Sequence, residues 1–221
     1  MLTPNRFIDH TLLKQDALST HILQLCEEAR THRFMSVCIQ PHFVPLAKKS
    51  LRGSDVLVCT VIGFPLGQHT SSIKLAEAKQ ALEDGADELD MVINLSWVKE
   101  RNDHALFREI RAIKDACGAR ILKVILETSL LQPDDIVFAC QVCERAGADF
   151  VKTSTGFAQG GATVDAVTLM RQTVGPTVHV KASGGIRDRI TFDAMVAAGA
   201  TRIGTSSGIA IIKGESSTSS Y

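Results

Sequence analysis

One phrase recurs along this chain and limits its architecture more than any other feature. A helix-like end is followed by a glycine, a small residue and a strand-like run. It occurs as DGADELD at 84–90, AGADFVK at 146–152 and AGATRIG at 198–204. The glycine leaves a helix through the left-handed region, and the chain re-enters extended structure within two or three residues. Consecutive strand–helix units are punctuated in this way.

The rest of the chain fits the same alternation. Short β-branched runs predict strands at 6–10, 34–40, 56–62, 88–94, 120–127, 149–155, 177–183 and 201–206. Helical periodicity predicts helices at 17–30, 72–84, 103–116, 133–146 and 188–198. Strands joined by helical crossovers form a parallel sheet, and eight of them suggest closure into a (β/α)8 barrel. An open doubly wound sheet is the alternative, but no G-x-G-x-x-G follows an early strand. The expected organisation is one barrel domain over 1–212. The polar, Ser-rich segment KGESSTSSY at 213–221 reads as a flexible tail.

Charge and cysteine usage narrow the function classes. Lys plus Arg and Asp plus Glu both total 24, and this balance argues against broad nucleic-acid binding. No apolar run approaches the roughly 20 residues of a membrane span, and MLTPNRFIDHTLL does not read as an export signal. A cytoplasmic chain without nucleic-acid or membrane partners is expected. The six cysteines then read as free thiols, and the Cys140/Cys143 pair as helix packing rather than a metal site. The seven histidines lack H-x-H or H-E-x-x-H spacing, so no metal is expected, and P-loop and G-x-S-x-G motifs are absent.

Charged residues inside apolar strands are the informative exceptions. Lys152 follows Phe150 and Val151, and Lys181 repeats the arrangement one unit later behind Val178, His179 and Val180. Either lysine alone reads equally as a strand end whose stem carries its charge to water. Together they suggest two ammonium groups in one cavity. Proximity and desolvation both favour a neutral amine, the nucleophile that condenses with a carbonyl. Asp90 lies between Leu89 and Met91 and reads as a proton carrier or as the partner of a buried cation. Lys123 and Glu127 share a strand parity, and with Asp9 they are expected to support this polar core.

Loops after the late strands carry the second signal. In this fold the loops after strands seven and eight commonly hold phosphate. Here they are SGGI at 183–186 and GTSSG at 204–208, with STG at 154–156 beside Lys152. Gly156, Gly184 and Gly185 let backbone N–H groups approach an anion, and Ser206 and Ser207 add donors.

These motifs resemble the deoxyribose-phosphate aldolase family of class I aldolases. The matching stretches are FIDHTLL (7–13), SVCIQPHFVPLA (36–47), ELDMVIN (88–94), LKVILET (122–128), FVKTSTGF (150–157), VKASGGI (180–186) and IGTSSG (203–208). The resemblance implies a (β/α)8 barrel that reversibly cleaves 2-deoxy-D-ribose 5-phosphate to acetaldehyde and D-glyceraldehyde 3-phosphate. It implies no metal or organic cofactor, a sugar-phosphate substrate and a cytoplasmic homodimer or homotetramer. Lys152 matches the Schiff-base lysine, Lys181 the second lysine and Asp90 the proton donor/acceptor. Tyr221 matches a terminal tyrosine thought to assist proton transfer. Phe157 stands where some members place a phosphate-binding Lys, which puts the strength of phosphate recognition in question. Rival readings are another phosphate-binding barrel lyase or isomerase, and a non-catalytic sugar-phosphate sensor.

Overall fold

The computed structural model describes residues 4–215. Its centre is a closed barrel of eight parallel strands in sequence order. They are β1 (Ile8–Leu12), β2 (Ser36–Ile39), β3 (Leu57–Ile62), β4 (Glu88–Val92), β5 (Ile121–Ile125), β6 (Phe150–Lys152), β7 (His179–Ser183) and β8 (Arg202–Thr205). β8 pairs with β1, Ile8 facing Ile203 and His10 facing Thr205, which closes the ring.

Between the strands lie α1 (Ser19–His32), α2 (Val44–Ser50), α3 (Ser71–Glu83), α4 (Leu95–Lys99) and α5 (Asp103–Cys117). They are followed by α6 (Pro133–Ala146), α7 (Val164–Thr173), α8 (Arg189–Ala197) and α9 (Gly208–Lys213). Gly85, Gly147 and Gly199, the glycines of the recurrent phrase, have φ of 106°, 86° and 111°. Each releases its helix through a conformation that a side chain would oppose.

Four helices escape the periodicity reading: α2, α4, α7 and α9. Three of them have seven residues or fewer, too few to display a helical period. α7 is longer but buries only Val167 and Met170, so its apolar stripe is faint. The first strand runs over 8–12 rather than 6–10, because Pro4–Phe7 form a 3-10 turn ahead of it. The sixth ends at Lys152, not at 155. Beyond it side chains take over the pairing: Thr153 Oγ1 donates to the Ser183 carbonyl and accepts from the Ser183 N–H, both at 3.0 Å.

Alternation along each strand sorts the chain into two interiors. Ile8, Val37, Val58, Leu89, Met91, Val124, Val151, Val180 and Ile203 face outward into the main apolar layer, with Ile22, Leu25, Ile110, Ile113 and Val142 from the helices. Cys140 and Cys143 lie in that layer, fully buried, as packing residues. A small apolar patch of Leu13, Cys38, Cys59 and Val61, with Phe64 against it, forms separately. Other inward positions carry the buried charges Asp9, Glu88, Asp90, Lys123, Lys152, Lys181 and Arg202. No helix among the described residues is long and apolar enough to cross a membrane.

Candidate active site

Arg202 on β8 donates to Glu88 on β4 at 2.9 Å. These strands lie on opposite sides of the barrel, so the two side chains meet through its centre. The same centre holds Asp9, Asp90, Lys123 and Lys181, all with no exposed surface, and Lys152 at 3%.

The ion pairs form one connected network. Lys181 Nζ donates to Asp9 Oδ2 at 2.5 Å and to Asp90 Oδ2 at 2.7 Å. Lys152 Nζ donates to the same Asp90 Oδ2 at 2.7 Å. Lys123 Nζ donates to Asp90 Oδ1 at 2.9 Å and to Glu88 Oε2 at 2.6 Å. Arg202 also donates to Asp9 Oδ1 at 2.8 Å. Register explains the convergence: Lys152 pairs across the ladder with Lys181, and Asp90 with Lys123.

Charge counting identifies the weak point of this network. Lys123, Lys152, Lys181 and Arg202 are four cations, and Asp9, Glu88 and Asp90 are three carboxylates. Lys123, Lys181 and Arg202 each pair with two carboxylates or more, whereas Lys152 pairs with Asp90 alone, on an oxygen it shares. With all seven ionised, one positive charge is in excess, and Lys152 has the fewest carboxylate partners of the four cations.

Burial opposes every charge here, and the partners decide the outcome. It would raise Asp90, but Lys123, Lys152 and Lys181 overcome it and hold the carboxyl well below the usual range. Asp9 is likewise held low, burial being outweighed by Arg202, Lys181 and Lys123. Burial would lower Lys181, but Asp9 and Asp90 hold its amine well above the ordinary lysine value. Lys181 is thus clamped between two carboxylates, which stabilise its charge.

The loops over the carboxyl ends of the strands are knitted together. Ala162 N donates to the carbonyls of Ser183 and Gly184 at 3.1 and 3.0 Å. Thr205 Oγ1 donates to the Ile186 carbonyl at 2.7 Å and accepts from Ser207 N at 2.9 Å. Gly156, Gly184 and Gly185 have φ of 85°, 87° and 80°. At Gly185 the space a Cβ would take is open. Gly204 lies beside the charged centre, where a Cβ would stand 3.1 Å from Lys181 Cε. Ser206 and Ser207 follow it on the same loop.

Glu127 joins the loops rather than the ion network, so its expected support of the polar core is indirect. It has a φ of 54° and accepts from Thr155 N at 3.2 Å, bracing the segment after Lys152. Phe157 is partly exposed and packs edge-on against Phe64, with ring centroids 5.2 Å apart. Tyr221 and most of the expected tail lie outside the described residues.

Glu88, Arg202 and Cys59 belong to the network and escape the sequence reading. Strand parity was the available signal: Glu88 stands two residues before Asp90, and Arg202 two before Gly204. Cys59 Sγ donates to Asp90 Oδ1 at 3.1 Å. Among the described residues two groups have donor atoms close enough to surround a metal ion, Cys38–Cys59–Asp90 and Asp9–Cys59–Glu88. In both, lysine and arginine donors already engage the carboxylates.

The chain resembles known proteins over nearly its whole length. A family model described as DeoC/LacD family aldolase matches residues 6–214. A deoxyribose-phosphate aldolase of Streptococcus gordonii is 56% identical over 98% of this chain and 99% of its own length. One from Geobacillus is 54% identical over 98% and 97%. Among solved structures, "QR15, an Aldolase" superposes with a TM-score of 0.92 at 41% identity, covering 96% of each chain. The tetrameric deoxyribose phosphate aldolase from Aeropyrum pernix gives 0.84 at 36% identity, covering 95% of this chain and 89% of that one.

Proposed function

The chain belongs to the DeoC/LacD family of aldolases, and from that premise we infer that it is a class I aldolase cleaving 2-deoxy-D-ribose 5-phosphate reversibly to acetaldehyde and D-glyceraldehyde 3-phosphate. One observation carries the assignment of the chemistry: two lysine amines meet on a single carboxylate oxygen in a cluster with one cation to spare.

In this reading Lys152 is the nucleophile. Its neutral amine adds to the aldehyde carbon, and loss of water leaves an iminium. That cation accepts the electron pair when the C2–C3 bond breaks, which a plain aldehyde could do only through a high-energy carbanion. Asp90 and Lys181 act as a relay for the proton of the C3 hydroxyl. Asp90 alone is a weak base, because its cations hold it low. Its Oδ2 joins both amines, so a proton gained on one side is passed on at the other. Such positioned transfer contributes about a hundredfold to ten-thousandfold. Glyceraldehyde 3-phosphate leaves, the enamine is protonated at C2, and hydrolysis frees acetaldehyde and Lys152.

Asp9 and Lys123 support the reaction by holding Lys181 and Asp90 in place. The phosphate is assigned to the loops carrying Gly184, Gly185, Ser206 and Ser207, with Gly156 alongside. Tyr221 is the assigned proton donor to the enamine carbon, on the family pattern alone. By analogy with the tetrameric relative the chain assembles as a homo-oligomer. Its six unpaired thiols fit a reducing compartment such as the cytoplasm.

Borohydride added with substrate should trap a reduced adduct, and peptide mapping should place it on Lys152. An adduct on another lysine would reject the assignment. Turnover with no trapped adduct would favour acid–base chemistry alone.

A further inference from the structure

Two cysteines face each other across neighbouring strands next to the charged centre. Cys38 on β2 and Cys59 on β3 are direct register partners. Neighbouring strands run about 4.8 Å apart, within the Cα separation that a disulfide spans. Both side chains are fully buried and pack together with Leu13 and Val61. Their sulfurs and a carboxylate oxygen of Asp90 lie within 4.8 Å of one another. Cys59 Sγ donates to Asp90 Oδ1 at 3.1 Å and accepts from Lys123 Nζ at 3.3 Å.

We propose that Cys38 and Cys59 form an oxidisable pair, which a hydroperoxide converts to an inter-strand disulfide that uncouples Asp90 and slows the enzyme reversibly. The location supplies the access. A carbonyl that reaches Lys152 is already next to Asp90, which Lys152 touches at 2.7 Å. Hydrogen peroxide is close to water in size and follows the same path.

The steps balance. The Cys38 thiolate attacks one peroxide oxygen, the O–O bond breaks, and hydroxide leaves as water with the thiol's proton. The sulfenic acid formed is then attacked by the Cys59 sulfur. The S–S bond forms, the S–O bond breaks, and the departing hydroxide takes the Cys59 proton as a second water. Two thiols are oxidised by two electrons and one peroxide is reduced.

Electrostatics favours Cys38 as the first to react. Hydrogen bonding with Cys59 and the nearby ammonium groups of Lys181 and Lys152 draw its thiol below the ordinary value, against burial. The remaining thiols are disfavoured. Burial pushes Cys26 and Cys117 up to about 11 and Cys140 up to about 12.

Closing the disulfide removes the S–H that Cys59 donates to Asp90 and draws β2 and β3 together beneath it. The linkage stands independently of the proposed reaction, and its effect on rate rests on that reaction. The test treats the intact chain with hydrogen peroxide, then maps peptides without reductant and measures aldol cleavage. Two of the six thiols should disappear, with a mass about two units lower and a linked peptide pair carrying Cys38 and Cys59. The rate should fall about tenfold, the scale of one lost hydrogen bond to a charged group, and return with dithiothreitol. Cys38→Ala, compared with its own untreated rate, should show neither the mass decrease nor the reversible loss. An unchanged mass, linkage of Cys140 to Cys143, or oxygen additions without linkage would each overturn the pair. A linked chain working at full rate would overturn the switch.

Discussion

Lys152 and Lys181 donate to the same oxygen, Oδ2 of Asp90, each at 2.7 Å. The two amines differ in everything else. Lys181 has Asp9 as a second partner, whereas Lys152 has no second carboxylate and sits at the open end of its strand. Lys181 is clamped by two carboxylates and Lys152 by one. Three substitutions test this division, and two more test the loops above it.

Lys152→Met removes the surplus cation and leaves three positive groups against three carboxylates. Adduct trapping should vanish, and kcat should fall by on the order of ten-thousandfold, as expected when a nucleophile is removed. The thermal midpoint should stay level or rise, since no carboxylate loses its only partner. A marked drop in that midpoint would show that Lys152 is structural.

Lys181→Met gives Asp90 Oδ2 entirely to Lys152 and removes the neighbouring positive charge. Both changes strengthen the hold on the attacking amine's proton. The acid limb of kcat/KM should therefore move to higher pH, with part of the lost rate recovered in alkali. A limb left in place, at whatever rate, would remove Lys181 from this role.

Asp9→Asn leaves four cations facing two carboxylates at full burial. Breaking a buried pair in this way costs about 3–5 kcal/mol, measurable by denaturant unfolding at neutral pH. The pH dependence has a defined sign. Asp9 and Asp90 are held low, so their contribution is present above about pH 3.9 and is lost as pH falls toward their folded values. Lys181 is held high, so its share persists below about pH 10.4 and is lost only as pH rises past its folded value. Asp9→Asn should flatten the acid limb of stability more than the alkaline one.

Gly185→Ala and Gly204→Ala separate the loops proposed to hold phosphate from the amine cluster. At Gly185 the space is open but φ is 80°, so alanine strains the loop by about 1–3 kcal/mol. KM for the phosphorylated sugar should rise with kcat nearly unchanged. At Gly204 the new Cβ meets Lys181 Cε at 3.1 Å and Ser183 Cβ at 3.0 Å. There kcat should fall by about tenfold to a hundredfold, as a displaced catalytic group would give. The reverse pattern would exchange the two assignments.

Much of the architecture was legible along the chain. Three Gly–Ala phrases and eight β-branched runs follow local rules, since leaving a helix and entering a strand depend on a few neighbouring residues. The unbroken parallel alternation then constrains topology. Lys152, Lys181 and Asp90 stood out because a charge inside an apolar strand is locally conspicuous. The family motifs around them pointed to the same three residues. Short helices such as α4 carried too few turns to announce themselves.

Which charges touch was not legible. Glu88 and Arg202 are 114 residues apart and meet only because closure places β4 opposite β8. The contrasting partners of the two lysines were hidden for the same reason. Each follows a Val that ends a β-branched or aromatic run, yet Asp9, 172 residues from Lys181, reaches only one of them. Local sequence determines where an ionisable group enters a strand and which face it takes. Its charge depends on partners brought close through space in a dry interior, where a few ångströms decide whether a lysine has one carboxylate beside it or two.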